Sequence, residues 1–255
     1  VFLYPRPARE VVESYFREAY DGDYGEAESS DDRLPVFQSV LDHLSAYRTP
    51  PGALLDIGCG DGEFLALGRK AGWDCSGLEL SQRAAARAAR KGLTMLPPQF
   101  LERGDANVRF DVVTLINVLE TVADPLTMLR QAASVLSSDG LLLVRATNGT
   151  FHLPMRVPAR WVGSQYDQAF HWYLYTPKTL RHFMSLAGLR VLGVRNSRPS
   201  LGPLSPAHPL WSRVKWTASR GMLWPFAQVL FAVTGGRAVF APSFEIVAQR
   251  QEDGR

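Results

Sequence analysis

The chain has 255 residues, 46% of them hydrophobic and 21% charged, with 28 Lys plus Arg against 25 Asp plus Glu. That balance excludes wholesale disorder and supplies enough apolar surface for one sizeable core. The arginines are scattered, with no basic stripe or aromatic-basic module, so a nucleic-acid partner is not expected despite a pI near 9.0.

The opening residues, Val1-Phe2-Leu3-Tyr4-Pro5-Arg6-Pro7, have no charged segment followed by a long apolar one, so no secretory signal is read here and a cytoplasmic protein is expected. A first helix is predicted over Ala8–Tyr20, then a polar, acidic stretch to Asp32 and a second helix at about Pro35–Tyr47. Pro50-Pro51-Gly52 ends that helix, and Ala53–Ile57 reads as a buried strand running directly into Gly58-Cys59-Gly60-Asp61-Gly62. A helix from Glu63, a strand over Asp74–Leu80, and a helix capped by Ser81 and ending at Gly92 follow.

Leu93–Leu96 is a weak third strand and Phe110–Ile116 a strongly apolar fourth. Asp124-Pro125 opens a helix to about Leu136, and Asp139-Gly140 turns the chain into a strand over Leu141–Ala146. Thr176-Pro177 caps a helix ending at Gly188, Leu189–Arg195 is the next strand and Ser243–Gln249 the last. Strands alternating with helices predict an α/β fold: a Rossmann-like, seven-stranded, mostly parallel sheet with helices on both faces.

Some 40 residues rich in Pro, Trp and Arg separate the final two strands, where a hairpin needs only ~2–5. The apolar series Trp211, Val214, Trp216, Met222, Trp224, Phe226 and Phe231 predicts a helical insertion packed over the sheet edge. Its alternative use is a substrate cap or a peripheral membrane contact, because Arg213, Lys215 and Arg220 interleave with the tryptophans. A transmembrane span is not expected, since the longest apolar run, Gly221 to Gly236, is broken by Pro225 and Gln228 and falls short of roughly 20 residues. Cys59 and Cys75 are too few for a disulfide framework, and the five histidines show no metal-ligand spacing.

The chemistry concentrates after the first strand. Glycines at 58, 60 and 62 let the backbone approach a ligand closely, but the third glycine of a dinucleotide fingerprint would fall at position 63, which is Glu63. Asp56, Asp61 and Glu63 would repel a pyrophosphate and suit a ligand carrying an ammonium group. Glu79 ends the second strand 23 residues after Asp56, where a carboxylate accepts both hydroxyls of a ribose. An amine at one end and a ribose at the other describe S-adenosylmethionine.

Leu54-Leu55-Asp56-Ile57-Gly58-Cys59-Gly60-Asp61-Gly62 resembles motif I of the class I S-adenosylmethionine-dependent methyltransferases. The segment Phe110 to Glu120 resembles the same family's fourth-strand motif, and Ser137 to Val144 its turn into the fifth strand. Tyr175 to Leu180 and Ala187 to Leu189 are similar to the ubiquinone-biosynthesis-like, small-molecule subgroup. That subgroup carries Glu-His-Val-Pro-Asp-Pro after the fourth strand, whereas here Thr121 stands in place of the His.

The resemblance implies that Asp56, Gly58, Cys59 and Gly60 line the methionine end of the cofactor, Glu79 and Leu80 its ribose and adenine, and Asn117 and Val118 the floor beside the sulfur. It implies methyl transfer to a small-molecule acceptor, by O-, N- or C-methylation in a biosynthetic pathway. The long segment Thr147 to Tyr175 holds His171, a candidate base at neutral pH; the competing reading, which has the edge, is a histidine that hydrogen-bonds the backbone and orders the loop. The expected organisation is an N-terminal helical lid (1–48), a cofactor-binding core (49–195), a helical cap (196–240), and a last strand with its tail (241–255). The readings from other classes are an S-adenosylmethionine-binding protein without transfer, which the Thr121 departure permits, and a nicotinamide-dependent oxidoreductase.

Overall fold

The computed structural model describes residues 11, 14, 30–103, 108–154, 172–199 and 219–251. In chain order the elements are α1 (Ser30–Ser45), β1 (Ala53–Ile57), α2 (Glu63–Lys70), β2 (Asp74–Leu78), α3 (Gln82–Arg90), β3 (Thr94–Leu96), α4 (Phe100–Arg103) and β4 (Phe110–Ile116). They continue with α5 (Pro125–Ser134), β5 (Leu136–Thr147), α6 (Pro177–Leu186), β6 (Leu189–Ser197), a π-helical turn (Ser219–Leu223), α7 (Trp224–Val233) and β7 (Ser243–Arg250).

The seven strands form one sheet in the order β3-β2-β1-β4-β5-β7-β6. Neighbours are parallel from β3 to β5, and β7 runs antiparallel between β5 and β6. Successive strands step outward in one direction from β1 and in the other from β4, so the order reverses between these two. In such sheets the crevice beyond the carboxyl ends at that switch point is where ligands bind.

Alternating side chains cover both faces. Leu54, Val112, Leu143 and Val247 pack against Phe37, Val40 and Leu44 of α1 and Phe64 and Leu65 of α2. Leu55, Val113, Leu142 and Ile246 pack against Leu129 and Ala132 of α5 and Leu180 and Met184 of α6. Strands buried on both faces read as continuous apolar runs, which is why β1 and β4 have the limits their sequences predict.

Three of the differences from expectation have a local cause. The helix α1 begins at Ser30 and carries Pro35 inside it, forgoing one backbone hydrogen bond rather than starting at the proline. The strand β5 starts at Leu136, which pairs with Phe110 before an irregularity that accommodates Asp139 and Gly140. A Cβ on Gly140 would sit 3.0 Å from the Phe110 carbonyl oxygen, so the close approach there needs glycine. The strand β2 stops at Leu78 because Glu79 turns its carboxylate back onto the backbone amide of Ser81 at 2.8 Å. Ser81 itself caps α3, its hydroxyl accepting from the Ala84 amide.

The predicted helical insertion is present as the π-helical turn and α7, held to the edge strand β6. Asn196 of β6 makes the attachment. Its side-chain amide donates to the Ala227 carbonyl at 2.9 Å, while its oxygen accepts from the amides of Phe240 and Ala241, both at 2.9 Å. The first predicted helix apart from residues 11 and 14, together with Trp211, Val214, Trp216 and the charges Arg213 and Lys215, lies outside the described residues.

Candidate functional site

The turn after β1 sits at the switch point, and its three glycines, all in left-handed backbone, do different work. A Cβ on Gly58 would fall 2.5 Å from Val118 Cγ2, and one on Gly62 would fall 2.3 Å from Leu93 Cδ1. Those two glycines are packed against the protein. Gly60, with φ of +53°, has no atom within 4 Å of its Cβ position, so this is the glycine whose open side faces the crevice. Cys59 sends its thiol inward, where it is buried with Leu65, and burial pushes its pKa up; only its backbone is available at the turn.

Of the carboxylates expected to crowd the turn, two are neutralised. Asp61 accepts from Arg87 of α3 at 2.9 Å, and Glu63 lies 3.7 Å from Lys91. The remaining pair is Asp56 and Glu79. Asp56, 3% exposed at the end of β1, is raised from the usual 3.8 to about 7 by burial; the Thr114 hydroxyl, donating at 2.6 Å, and the positive charge of Arg33 oppose that shift. Burial also raises Glu79, against the hydrogen bonds it accepts from Ser81 and Gly60. Its Oε2 accepts from the Gly60 amide at 2.9 Å, so the second strand's carboxylate is tied to the open glycine of the first. Leu80, next in the chain, is half-buried.

The wall opposite is the end of β4. Asn117 adopts a left-handed φ of 59°, and Val118 is half-buried with its methyl against Gly58. The Asn117 side-chain oxygen accepts from Arg145 of β5, a fully buried arginine that also donates to the Ser197 hydroxyl at 2.8 Å and the Arg198 carbonyl at 3.1 Å. Glu120, wholly buried, accepts from the Thr147 amide at 2.6 Å, tying the ends of β4 and β5 together. Thr121, at the position of the family's His, makes a local turn in which its hydroxyl donates to the Val118 carbonyl at 2.8 Å.

The structure thus gathers Asp56, Gly58, Cys59, Gly60, Glu79, Leu80, Asn117 and Val118 around the carboxyl ends of β1, β2 and β4. His171 lies outside the described residues. The sequence reading missed Arg33, Thr114, Glu120 and Arg145. A lone arginine in the run Leu141-Leu142-Leu143-Val144-Arg145-Ala146 was the available signal, because a charge inside a buried strand needs partners. Near the end of β3, Phe100 is a core residue, edge-on to Phe110 with ring centroids 6.2 Å apart.

Residues 31–194, well over half of the chain, match the family model described as a methyltransferase domain. The chain belongs to that methyltransferase family. This methyltransferase is 30% identical over 173 residues to the ubiquinone biosynthesis O-methyltransferase of Caulobacter vibrioides, covering 63% of this chain and 66% of that protein. It is 29% identical over 152 residues to the enzyme of the same name from Actinobacillus pleuropneumoniae serotype 7, covering 54% and 65%. The match therefore spans about two thirds of the length of these curated relatives. The fold is also that of magnesium protoporphyrin IX methyltransferase from Synechocystis, solved with bound SAH, with a TM-score of 0.61 and 15% identity over 96% of this chain and all of that one.

Among the described residues, no group of three or more His, Cys, Asp or Glu could hold a metal ion, and no helix is long and apolar enough to cross a membrane.

Proposed function

We propose that this chain transfers a methyl group from S-adenosylmethionine to a small-molecule acceptor in a biosynthetic pathway. The observation that carries this reading is the Gly60 turn. An open, left-handed glycine stands at the switch point of the sheet, hydrogen-bonded to the half-buried carboxylate of Glu79 and four residues from the buried one of Asp56. A pyrophosphate is repelled there, whereas a ligand with a cationic amino-acid end and a ribose suits both carboxylates.

When bound, S-adenosylmethionine supplies a methyl carbon activated by a positively charged sulfur. The chain's own residues hold and orient. Glu79 accepts from ribose hydroxyls, Leu80 flanks the adenine, and Asp56 attracts the ammonium beside the backbone of Gly58, Cys59 and Gly60. Arg33, whose charge already acts on Asp56, attracts the carboxylate, and α1 serves as part of a lid over residues 1–48. Asn117 and Val118 form the floor. Positioning of this kind supplies much of the rate in a displacement reaction. His171 is the proposed base where the acceptor must lose a proton. The relatives' names favour oxygen as the accepting atom, and a cytoplasmic setting remains part of the reading.

Calorimetric titration with S-adenosylmethionine, S-adenosylhomocysteine and NAD tests the cofactor, run beside Asp56→Ala and Glu79→Ala. Binding of the first two ligands, weakened at least about tenfold in each variant, is the expected result. Binding of NAD alone overturns the proposal. Turnover with a hydroxylated aromatic, compared with His171→Ala, then separates an enzyme from a binder without transfer.

A further inference from the structure

Among the described residues, the insertion before β7 presents an exposed apolar surface. Met222 is 73% exposed, Phe226 56%, Val229 61% and Val233 74%. Their spacing of four, three and four residues places them along one side of the π-helical turn and α7. The opposite side of α7 is also apolar: Ala227 is buried, and Phe231 packs onto the core beneath the sheet. No charged residue occurs from Gly221 to Gly236. A helix with Gln228 as its one polar side chain belongs largely inside a protein or against another apolar medium, yet this one shows much of its circumference to solvent.

The charges that flank it in the sequence are of one sign. From Gln168 to Phe244 the chain holds nine Lys and Arg, of which Arg195 is paired with Glu245, and no Asp or Glu, although over its whole length the two classes stand at 28 and 25. The exposed Arg198 follows the strand that anchors α7, and the exposed Arg237 follows the helix itself. An apolar ridge within a wholly cationic stretch complements a surface that is apolar beneath and negative on top. A second copy of the chain fits less well, because a two-fold contact sets the same cationic stretch against itself.

We propose that α7 docks this protein on the surface of an anionic lipid bilayer, with Met222, Phe226, Val229 and Val233 entering the acyl region and the flanking arginines meeting the lipid phosphates. At ten residues the helix lies in the interface and does not cross it. The proposal deepens the methyltransferase reading by giving it a membrane-borne acceptor, but the docking itself does not depend on which molecule is methylated.

The test is flotation of the full chain with large unilamellar vesicles of phosphatidylcholine alone, or of phosphatidylcholine with about 30% phosphatidylglycerol. It is repeated with a quadruple variant in which Met222, Phe226, Val229 and Val233 are each changed to Ser. The expected result is flotation with the anionic vesicles, reduced on the order of tenfold by 0.5 M salt and by the variant. Because the four side chains are exposed, the variant keeps the parent's thermal midpoint and its S-adenosylmethionine affinity in free solution, a readout that stands or falls separately. Absence of flotation with anionic vesicles overturns the proposal, as does undiminished flotation of the variant. A dimer in light scattering that the variant abolishes, with no flotation, replaces the bilayer by a second copy of the chain.

Discussion

Asn117 and Arg145 hold each other twice across the ends of β4 and β5: the Asn117 amide donates to the Arg145 carbonyl at 2.9 Å, and the Arg145 guanidinium donates to the Asn117 side-chain oxygen at 2.5 Å. One half of the pair is in left-handed backbone and the other is a charge sealed from water. Asn117→Ala removes an acceptor from a buried cation and should cost about 1–3 kcal/mol, whereas Asn117→Asp keeps the acceptor. Urea unfolding is the measurement. Equal midpoints for the two variants would show that the side-chain half of the pair contributes nothing.

The glycines of the turn should separate by assay. Gly62→Ala drives a methyl group against Leu93 at a left-handed position and is expected to cost about 2–4 kcal/mol. Gly60→Ala meets no protein atom, so its stability cost is about 1 kcal/mol, from backbone conformation alone. Its cofactor affinity should nevertheless fall at least about tenfold, since the new methyl occupies the open side. Calorimetry on both variants checks the contrast, which fails if Gly60→Ala binds like the parent.

Asp56 makes a prediction about pH. Its pKa rises from 3.8 unfolded to about 7 folded, so the folded state keeps a proton that the unfolded state has lost. Stability from this group is therefore complete below about pH 4, declines as pH rises toward 7 and levels off above it, at about 1.4 kcal/mol per unit over that window. Asp56→Asn should flatten the decline in denaturation curves recorded from pH 4 to 8. A cationic ligand favours the ionised form, so affinity for S-adenosylmethionine should increase up to about pH 7 and release protons below it.

Glu245 works in the opposite sense. Burial alone would raise its pKa, but the hydrogen bond with His43 at 2.8 Å and the charge of Arg195, whose Nε donates at 2.9 Å, bring it below the usual 4.5. Its contribution is present above pH 4.5 and lost as pH falls through the lower folded value. Glu245→Gln should be less stable than the parent near neutrality and show a shallower loss in the acid range. A parallel acid limb for both proteins would count against the assignment.

Much of this molecule was readable from local pattern. The limits of β1 and β4 followed from apolar runs, and Ser81, Asp124 and Thr176 proved to be the caps their positions promised. The residues around the candidate crevice were legible because the glycine turn and Glu79 mark strand ends. What could not be read was contact between distant segments. Arg33 acts on Asp56 only because α1 folds across β1, and Glu120 meets Thr147 only because β4 and β5 are neighbours. The start of β5 was hidden because the turn residues Asp139 and Gly140 lie within the strand rather than before it.

The seventh strand in chain order is an interior one. With β7 seated between β5 and β6, the edge of β5 and the whole of β6 have no hydrogen-bonding neighbour until residues 243–250 arrive. Glu245 on that strand also meets His43, 202 positions earlier. During synthesis residues 243–250 must therefore emerge before the sheet can close, leaving an unpaired strand edge exposed to chaperones in the meantime.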